Sequence, residues 1–157
     1  MSSIGHVDES GRARMVDVSD KDVTTRTATA QGHLTCKAET LGEVRAGTVS
    51  KGAVISTAEL AGVMASKRTA ELIPLCHPLP LTSIEVRITI DDSLPGLRVH
   101  SEVRTRAQTG VEMEALTAVS VACLTLFDML KASDPKMTIG GIEVTSKTGG
   151  KSGDWSR

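Results

Sequence analysis

A chain of 157 residues, 39% of them apolar and with a formal net charge of −1, fits one folded domain and excludes wholesale electrostatic binding to nucleic acid. It holds one Trp, one Phe and no Tyr, which also excludes single-strand binders that rest on aromatic stacking platforms. The core must then be built from Val, Ile, Leu, Met and Ala. These bury less area each than large rings, so association between subunits is an expected extra source of stability.

Residues 1–20 read as a polar N-terminal arm, within which Arg14–Val18 suits a short strand. From His33 to Glu39 polar and apolar residues alternate, with Leu34, Cys36 and Ala38 on one side, which is strand periodicity. Across Ala53–Leu72, residues Ile55, Ala58, Leu60, Ala61, Met64, Ala65 and Leu72 recur at helical spacing, and Pro74 closes the segment. Leu81–Ile90 and Leu97–Arg104 alternate on either side of a turn at Asp91–Gly96, the pattern of a hairpin. Gly110 precedes a second helix over residues 111–132 that is apolar on nearly every side. A sheet covers only one face of such a helix, so another subunit is expected to cover the rest. Ile142–Ser146 completes the set as a short strand, and a flexible Gly/Lys-rich tail follows over residues 148–157.

The order β-α-β-β-α-β predicts a ferredoxin-like α+β fold, an antiparallel sheet with two helices on one face, as a single domain over residues 1–157. No apolar run approaches the roughly 20 residues of a membrane span, and no apolar leader precedes the domain. Cys36, Cys76 and Cys123 are odd in number and lack a CxxC spacing, so neither a disulfide scaffold nor a zinc knuckle is indicated. The expectation is a cytoplasmic protein with reduced cysteines, no metal site and no membrane or nucleic-acid partner.

Four places carry polar groups with chemical potential. Lys51-Gly52 opens the first helix, where backbone N–H groups favour anions; a surface lysine is the ordinary alternative. Pro74-Leu75-Cys76-His77-Pro78 is a loop stiffened by proline, with Lys67-Arg68 just upstream. A histidine there can bind an anion or move a proton near neutral pH, or simply pack. Glu112 and Glu114 sit where the helix dipole favours carboxylates, while Asp128 and Lys131 share a face near the other end and form an ion pair or an acid–base pair. Asp128 lies fourteen residues beyond Glu114, roughly 21 Å along a helix axis, so a single small-molecule site using both ends must draw them from different subunits. The tail Lys147-Thr-Gly-Gly-Lys-Ser-Gly fails as a P-loop, because Thr145 stands where the first glycine is required, but it can still cover phosphates. Together these groups favour a site for an anionic, phosphorylated ligand with proton-transfer capacity.

The same stretches resemble the MoaC family: HVDESGRARMVDVSDKDVTTRTA from His6, KGAVISTAELAGVMASKRTAELIPLCHPLPLT from Lys51, TGVEMEALTAVSVACLTLFDMLK from Thr109, and the tail KTGGKSG. The resemblance implies a ferredoxin-like fold, a hexamer built as a trimer of dimers, and a phosphorus–oxygen lyase. Such an enzyme converts a GTP derivative closed between ribose C3′ and purine C8, supplied by a radical-SAM GTP cyclase, into cyclic pyranopterin monophosphate with release of pyrophosphate. It implies Asp128, Lys131 and Lys51 as catalytic residues. Leu75, Cys76, His77, Glu112, Met113 and Glu114 would bind substrate, with Lys67, Arg68 and Lys147 as further contacts. No cofactor is firmly implied; magnesium is compatible with the pyrophosphate, although no carboxylate cluster demands an ion. The competing reading is a non-catalytic regulatory module that binds a phosphorylated ligand on the same fold.

Overall fold

A computed structural model describes residues 5–157. Its elements are strand β1 (Thr24–Thr35), helices α1 (Ala38–Ala46), α2 (Val54–Ser66) and α3 (Thr69–Leu72), strands β2 (Leu81–Asp91) and β3 (Gly96–Ala107), helix α4 (Glu112–Leu130), and strands β4 (Thr138–Thr148) and β5 (Trp155–Ser156). The sheet runs β2-β3-β1-β4-β5, with every pair antiparallel. With α2 and α4 packed on one face, this is the expected ferredoxin-like arrangement.

The hairpin β2–β3 follows the alternation in sequence. Val86, Ile88, Leu97, Val99 and Val103 point into the core, while Glu85, Arg87, Arg98 and Arg104 point away. Strand β1 differs from its sequence reading. It begins nine residues before His33 and stops at Thr35, and α1 occupies the end of the stretch expected to be extended. The inward positions of β1 are Arg26, Ala28, Ala30, Gly32 and Leu34, too small and mixed to show a hydrophobic period. The first helix is also interrupted. Arg68 N–H closes on Ala65 O, and the buried Thr69 hydroxyl donates to Ser66 O, which turns the chain into α3.

Small residues let α4 lie close to both neighbours. Ala115, Ala118, Val119, Ala122 and Cys123 are fully buried, and a Cβ on Gly32 would come within 2.7 Å of Val119 Cγ1. On the other side a Cβ on Gly62 of α2 would meet Ala118 O at 2.8 Å. Large rings have no room in such a core, which explains a composition almost without them. Ser66 Oγ and Ser101 Oγ donate to the carbonyls of Glu114 and Ala115, tying the first turns of α4 to α2 and β3.

By length and composition α4 could cross a bilayer, a longer apolar stretch than the sequence reading allowed, but one face of it is core. Part of the opposite face is uncovered among the described residues. Leu124 is 59% exposed, and Leu60, Met64 and Leu72 on α2 and α3 are 55–60% exposed beside it. Met64 and Leu72 border a shallow groove of about 460 Å³ that Ala61 and Val121 also line. The C-terminal residues turn at Gly149-Gly150, both at positive φ, and β5 pairs with β4 through Lys147 and Trp155.

The Gly62 contact sets a sign. Alanine gains about 1 kcal/mol of helix propensity over glycine, but a methyl forced against a backbone carbonyl overpacks the α2–α4 seam at roughly 1–3 kcal/mol. Gly62→Ala is therefore expected to lower the urea midpoint; a raised midpoint would mean the two helices have slack.

Candidate functional site

The residues with chemical potential fall into two groups, one at each end of α4. At the C-terminal end, Asp128 receives two lysines: Lys131 Nζ at 3.0 Å from Oδ1 and Lys51 Nζ at 3.0 Å from Oδ2. Lys51, in the loop between α1 and α2, also donates to Asp128 O at 2.9 Å. Cations are favoured here because the C-terminal end of the helix carries the negative end of the dipole. The ammonium groups of Lys131 and then Lys51 hold the Asp128 carboxyl below the usual carboxylate range. All three side chains are about half exposed, from 42% to 57%, so the burial expected for an acid–base lysine is not provided by this chain alone.

The N-terminal end is built differently. The loop after α3 lays Leu75, Cys76 and His77 against the first turn of α4, and with Glu112 and Met113 they line a cleft of about 280 Å³. The N-terminal arm covers it with His6, Val16, Val18 and Lys21. His77 Nε2 lies 2.6 Å from Val16 O, so Nε2 carries the hydrogen and donates it to the arm. Adjacent to this cleft, and sharing Lys21, Thr109 and Gly110 with it, is a second cavity of about 410 Å³. Arg26, Lys147, Lys151 and Thr24 line it.

Arg26 and Thr24 escaped the sequence reading. Arg26 is 7% exposed, and its guanidinium donates only to carbonyls: Nε to Ala107 O at 3.0 Å and Nη2 to Asp22 O at 3.4 Å. No carboxylate pairs with it among the described residues. A buried cation without a counter-ion is costly, and an anion in the cavity would remove that cost. Thr24 Oγ1 is buried without a hydrogen-bond partner at the same wall. Gly150 closes over Arg26 so tightly that a Cβ there would overlap the guanidinium. Lys147 forms an ion pair with Glu112 at 2.7 Å, and both are largely sheltered. The signal for Arg26 in the sequence was a charged residue at an inward strand position, visible only once the strand is known to start at Thr24.

Glu114 is 3% exposed and lines neither cavity; one of its oxygens is 3.7 Å from Cys76 Sγ and the other has no partner. Burial raises its carboxyl above the usual range. Lys67 and Arg68 also lie outside both linings. Arg68 pairs with Glu71 at 3.2 Å on the rim of the apolar groove. Among the described residues no three His, Cys, Asp or Glu side chains converge to hold a metal ion.

Residues 15–150 match the model of the MoaC family. The chain belongs to the MoaC family. Two relatives, each called cyclic pyranopterin monophosphate synthase, are equally similar. The one from Brucella ovis is 58% identical over 96% of this chain and 92% of its own. The one from Cereibacter sphaeroides is 58% identical over 98% of this chain and 96% of its own. Of the residues to which the MoaC resemblance gives roles, the chain brings Asp128, Lys131 and Lys51 together at one end of α4. It brings Leu75, Cys76, His77, Glu112, Met113 and Lys147 together at the other.

Burial pushes the Cys76 thiol up to about 11, with the nearby Glu114 charge adding to the rise, and burial does the same at Cys36 and Cys123. A thiol at that value holds roughly a few hundredfold less thiolate at pH 8 than a free cysteine near 8.5. Folded protein is expected to gain no adduct from iodoacetamide at pH 8 by intact mass, and three after unfolding in urea. An adduct on Cys76 in the folded state would show instead an activated thiol in the cleft.

Proposed function

We propose that this protein is a cyclic pyranopterin monophosphate synthase, a phosphorus–oxygen lyase of molybdenum-cofactor biosynthesis that works in the cytoplasm. Its substrate is (8S)-3′,8-cyclo-7,8-dihydroguanosine 5′-triphosphate, supplied by a radical-SAM GTP cyclase, and its products are cyclic pyranopterin monophosphate and pyrophosphate. The observation that carries the reading is the cavity around Arg26, whose buried, unpaired guanidinium adjoins the His77–Glu112 cleft in a chain 58% identical to synthases along nearly its whole length.

A cyclic phosphate formed with loss of pyrophosphate requires a substrate hydroxyl to attack the α-phosphorus while the β,γ-unit departs. That step needs cations where charge develops. Arg26, Lys21, Lys147 and Lys151 supply them around one cavity. His77 adds an N–H donor at the neighbouring wall. Glu112 and the Met113 side chain then face the guanine-derived part, where a carboxylate accepts from ring N–H groups. Rebuilding the ring skeleton needs proton transfers, which Lys51 and Lys131 perform with Asp128 orienting both.

The lysine–aspartate group and the phosphate cavity lie at opposite ends of a 19-residue helix, about 28 Å long at 1.5 Å per residue. We therefore place each complete site between two subunits, with Lys51, Asp128 and Lys131 of one facing the cleft of another. Lys67 and Arg68, which line neither cavity in their own chain, would reach phosphate in the same way. The uncovered apolar face of α2, α3 and α4 supports self-association, since exposed apolar patches of this kind mark contact surfaces. A homohexamer built as a trimer of dimers is the proposed assembly.

The test supplies GTP, a competent radical-SAM cyclase and this protein, and follows both products by mass spectrometry. Wild type is expected to release cyclic pyranopterin monophosphate and pyrophosphate. Lys131→Ala should lose about 10²–10⁴-fold in turnover, the scale of general acid–base catalysis. Tight binding of the cyclised GTP without any release of pyrophosphate would favour a non-catalytic phosphate-binding module.

A further inference from the structure

The N-terminal arm delivers Lys21 to the junction of the two cavities, yet it has almost no regular structure of its own. Among its described residues one bridge joins Val7 to Ala13, and Met15 and Val23 are about half exposed. Side chains of the domain hold it instead, each by donating to a main-chain carbonyl. His77 Nε2 takes Val16 O at 2.6 Å, and Arg26 Nη2 reaches Asp22 O at 3.4 Å. Between them Gln108 Nε2 donates twice, to Ser19 O at 3.3 Å and to Lys21 O at 3.1 Å.

These clasps are not equivalent. His77 lines the smaller cleft and Arg26 the larger cavity. An anion entering either competes with the arm's carbonyls for their N–H groups, because a negatively charged acceptor attracts the Arg26 guanidinium and the His77 N–H more strongly than a neutral carbonyl does. Gln108 is neutral and lines neither cavity. It sits just beyond the end of β3, directly before Thr109 and Gly110, which line both. Its hold on the arm therefore survives ligand entry, while those of His77 and Arg26 are drawn toward the ligand.

We propose that Gln108 is a positioning residue for phosphate binding: its carboxamide grips the arm on both sides of Asp20 and so sets Lys21 between the two cavities. The consequence for turnover rests on reading those cavities as the triphosphate site. The grip itself does not. When ligand enters, the arm pivots about residues 19–21, freeing Val16 and keeping Lys21 in place.

Gln108→Leu keeps a side chain of similar bulk, one bond shorter, and removes both donors. Three readouts separate positioning from a general loss of structure. In unliganded protein, the amides of residues 16–22 are expected to exchange with deuterium about tenfold faster, with the strands and the thermal midpoint unchanged; unchanged exchange overturns the grip. In the coupled assay, KM should rise about tenfold with kcat within twofold, the scale of one lost hydrogen bond to a charged group. Lys21→Ala/Gln108→Leu should then have a KM no higher than Lys21→Ala alone, because both act through one ammonium. Faster exchange with unchanged KM, or additive effects in the double variant, overturns the delivery of Lys21. If wild type turns over no substrate, the synthase reading fails on its own. Calorimetry with inorganic triphosphate on the same variants then decides the matter: weakening in Gln108→Leu supports the delivery of Lys21, and unaltered binding overturns it.

Discussion

Helix α4 is a rigid spacer that no local rearrangement can shorten. Hydrogen bonds from Ser66 and Ser101 fix its first turns, and its buried face is clamped between α2 and three strands. Glu112 and Lys147 are held at one end, and Asp128 with its two lysines at the other. A nucleotide-sized ligand cannot touch both ends of a helix that spans about 28 Å. On the reading proposed above, chemistry that the two groups share is done between chains, and the exposure of Asp128, Lys51 and Lys131 fits a half-site.

The composition of the core follows from the same helix. Gly32 and Gly62 stand where any Cβ would press on α4, and Ala28, Ala30, Ala115, Ala118 and Ala122 fill the layer between helix and sheet. Close approach excludes large rings and limits how much apolar surface one chain can bury. Leu60, Met64, Leu72 and Leu124 stay outside, exposed on the helices. A small-residue core and an uncovered apolar face are thus two results of one packing choice, and the second supplies a reason to associate.

What the sequence disclosed depends on periodicity. The hairpin was readable because Ile84, Val86, Ile88 and Ile90 alternate with Glu85, Arg87 and Thr89, and α4 because its apolar run is long. The start of β1 was not, since Arg26, Ala28, Ala30 and Gly32 give an inward face without hydrophobic contrast. Helix α1 was hidden for a related reason: the alternation at Leu34 and Cys36 runs smoothly into it. The break at Lys67-Arg68 is made by hydrogen bonds of Ser66 and Thr69 rather than by glycine or proline. Of the site, the motif residues around His77, Glu112 and Asp128 could be named from the chain. Arg26, Lys21 and Gln108 could not, because their roles arise from where a strand and an irregular arm meet, and no spacing encodes that. The prediction that Glu114 and Asp128 lie too far apart for one pocket needed only the rise of a helix.

The sharing of one site between two subunits is tested most directly by complementation. His77→Ala damages the cleft end and Lys131→Ala the lysine–aspartate end, and each alone is expected to be nearly inactive. Assembling the two variants from a mixture, with differently tagged chains to verify mixed oligomers, gives some interfaces with both intact halves. If sites form pairwise between subunits, about a quarter of them are whole in a random equal mixture, and activity should return to about that fraction of wild type. Mixed oligomers that form but stay as inactive as either parent would contradict a shared site and require both ends of α4 to work within one chain.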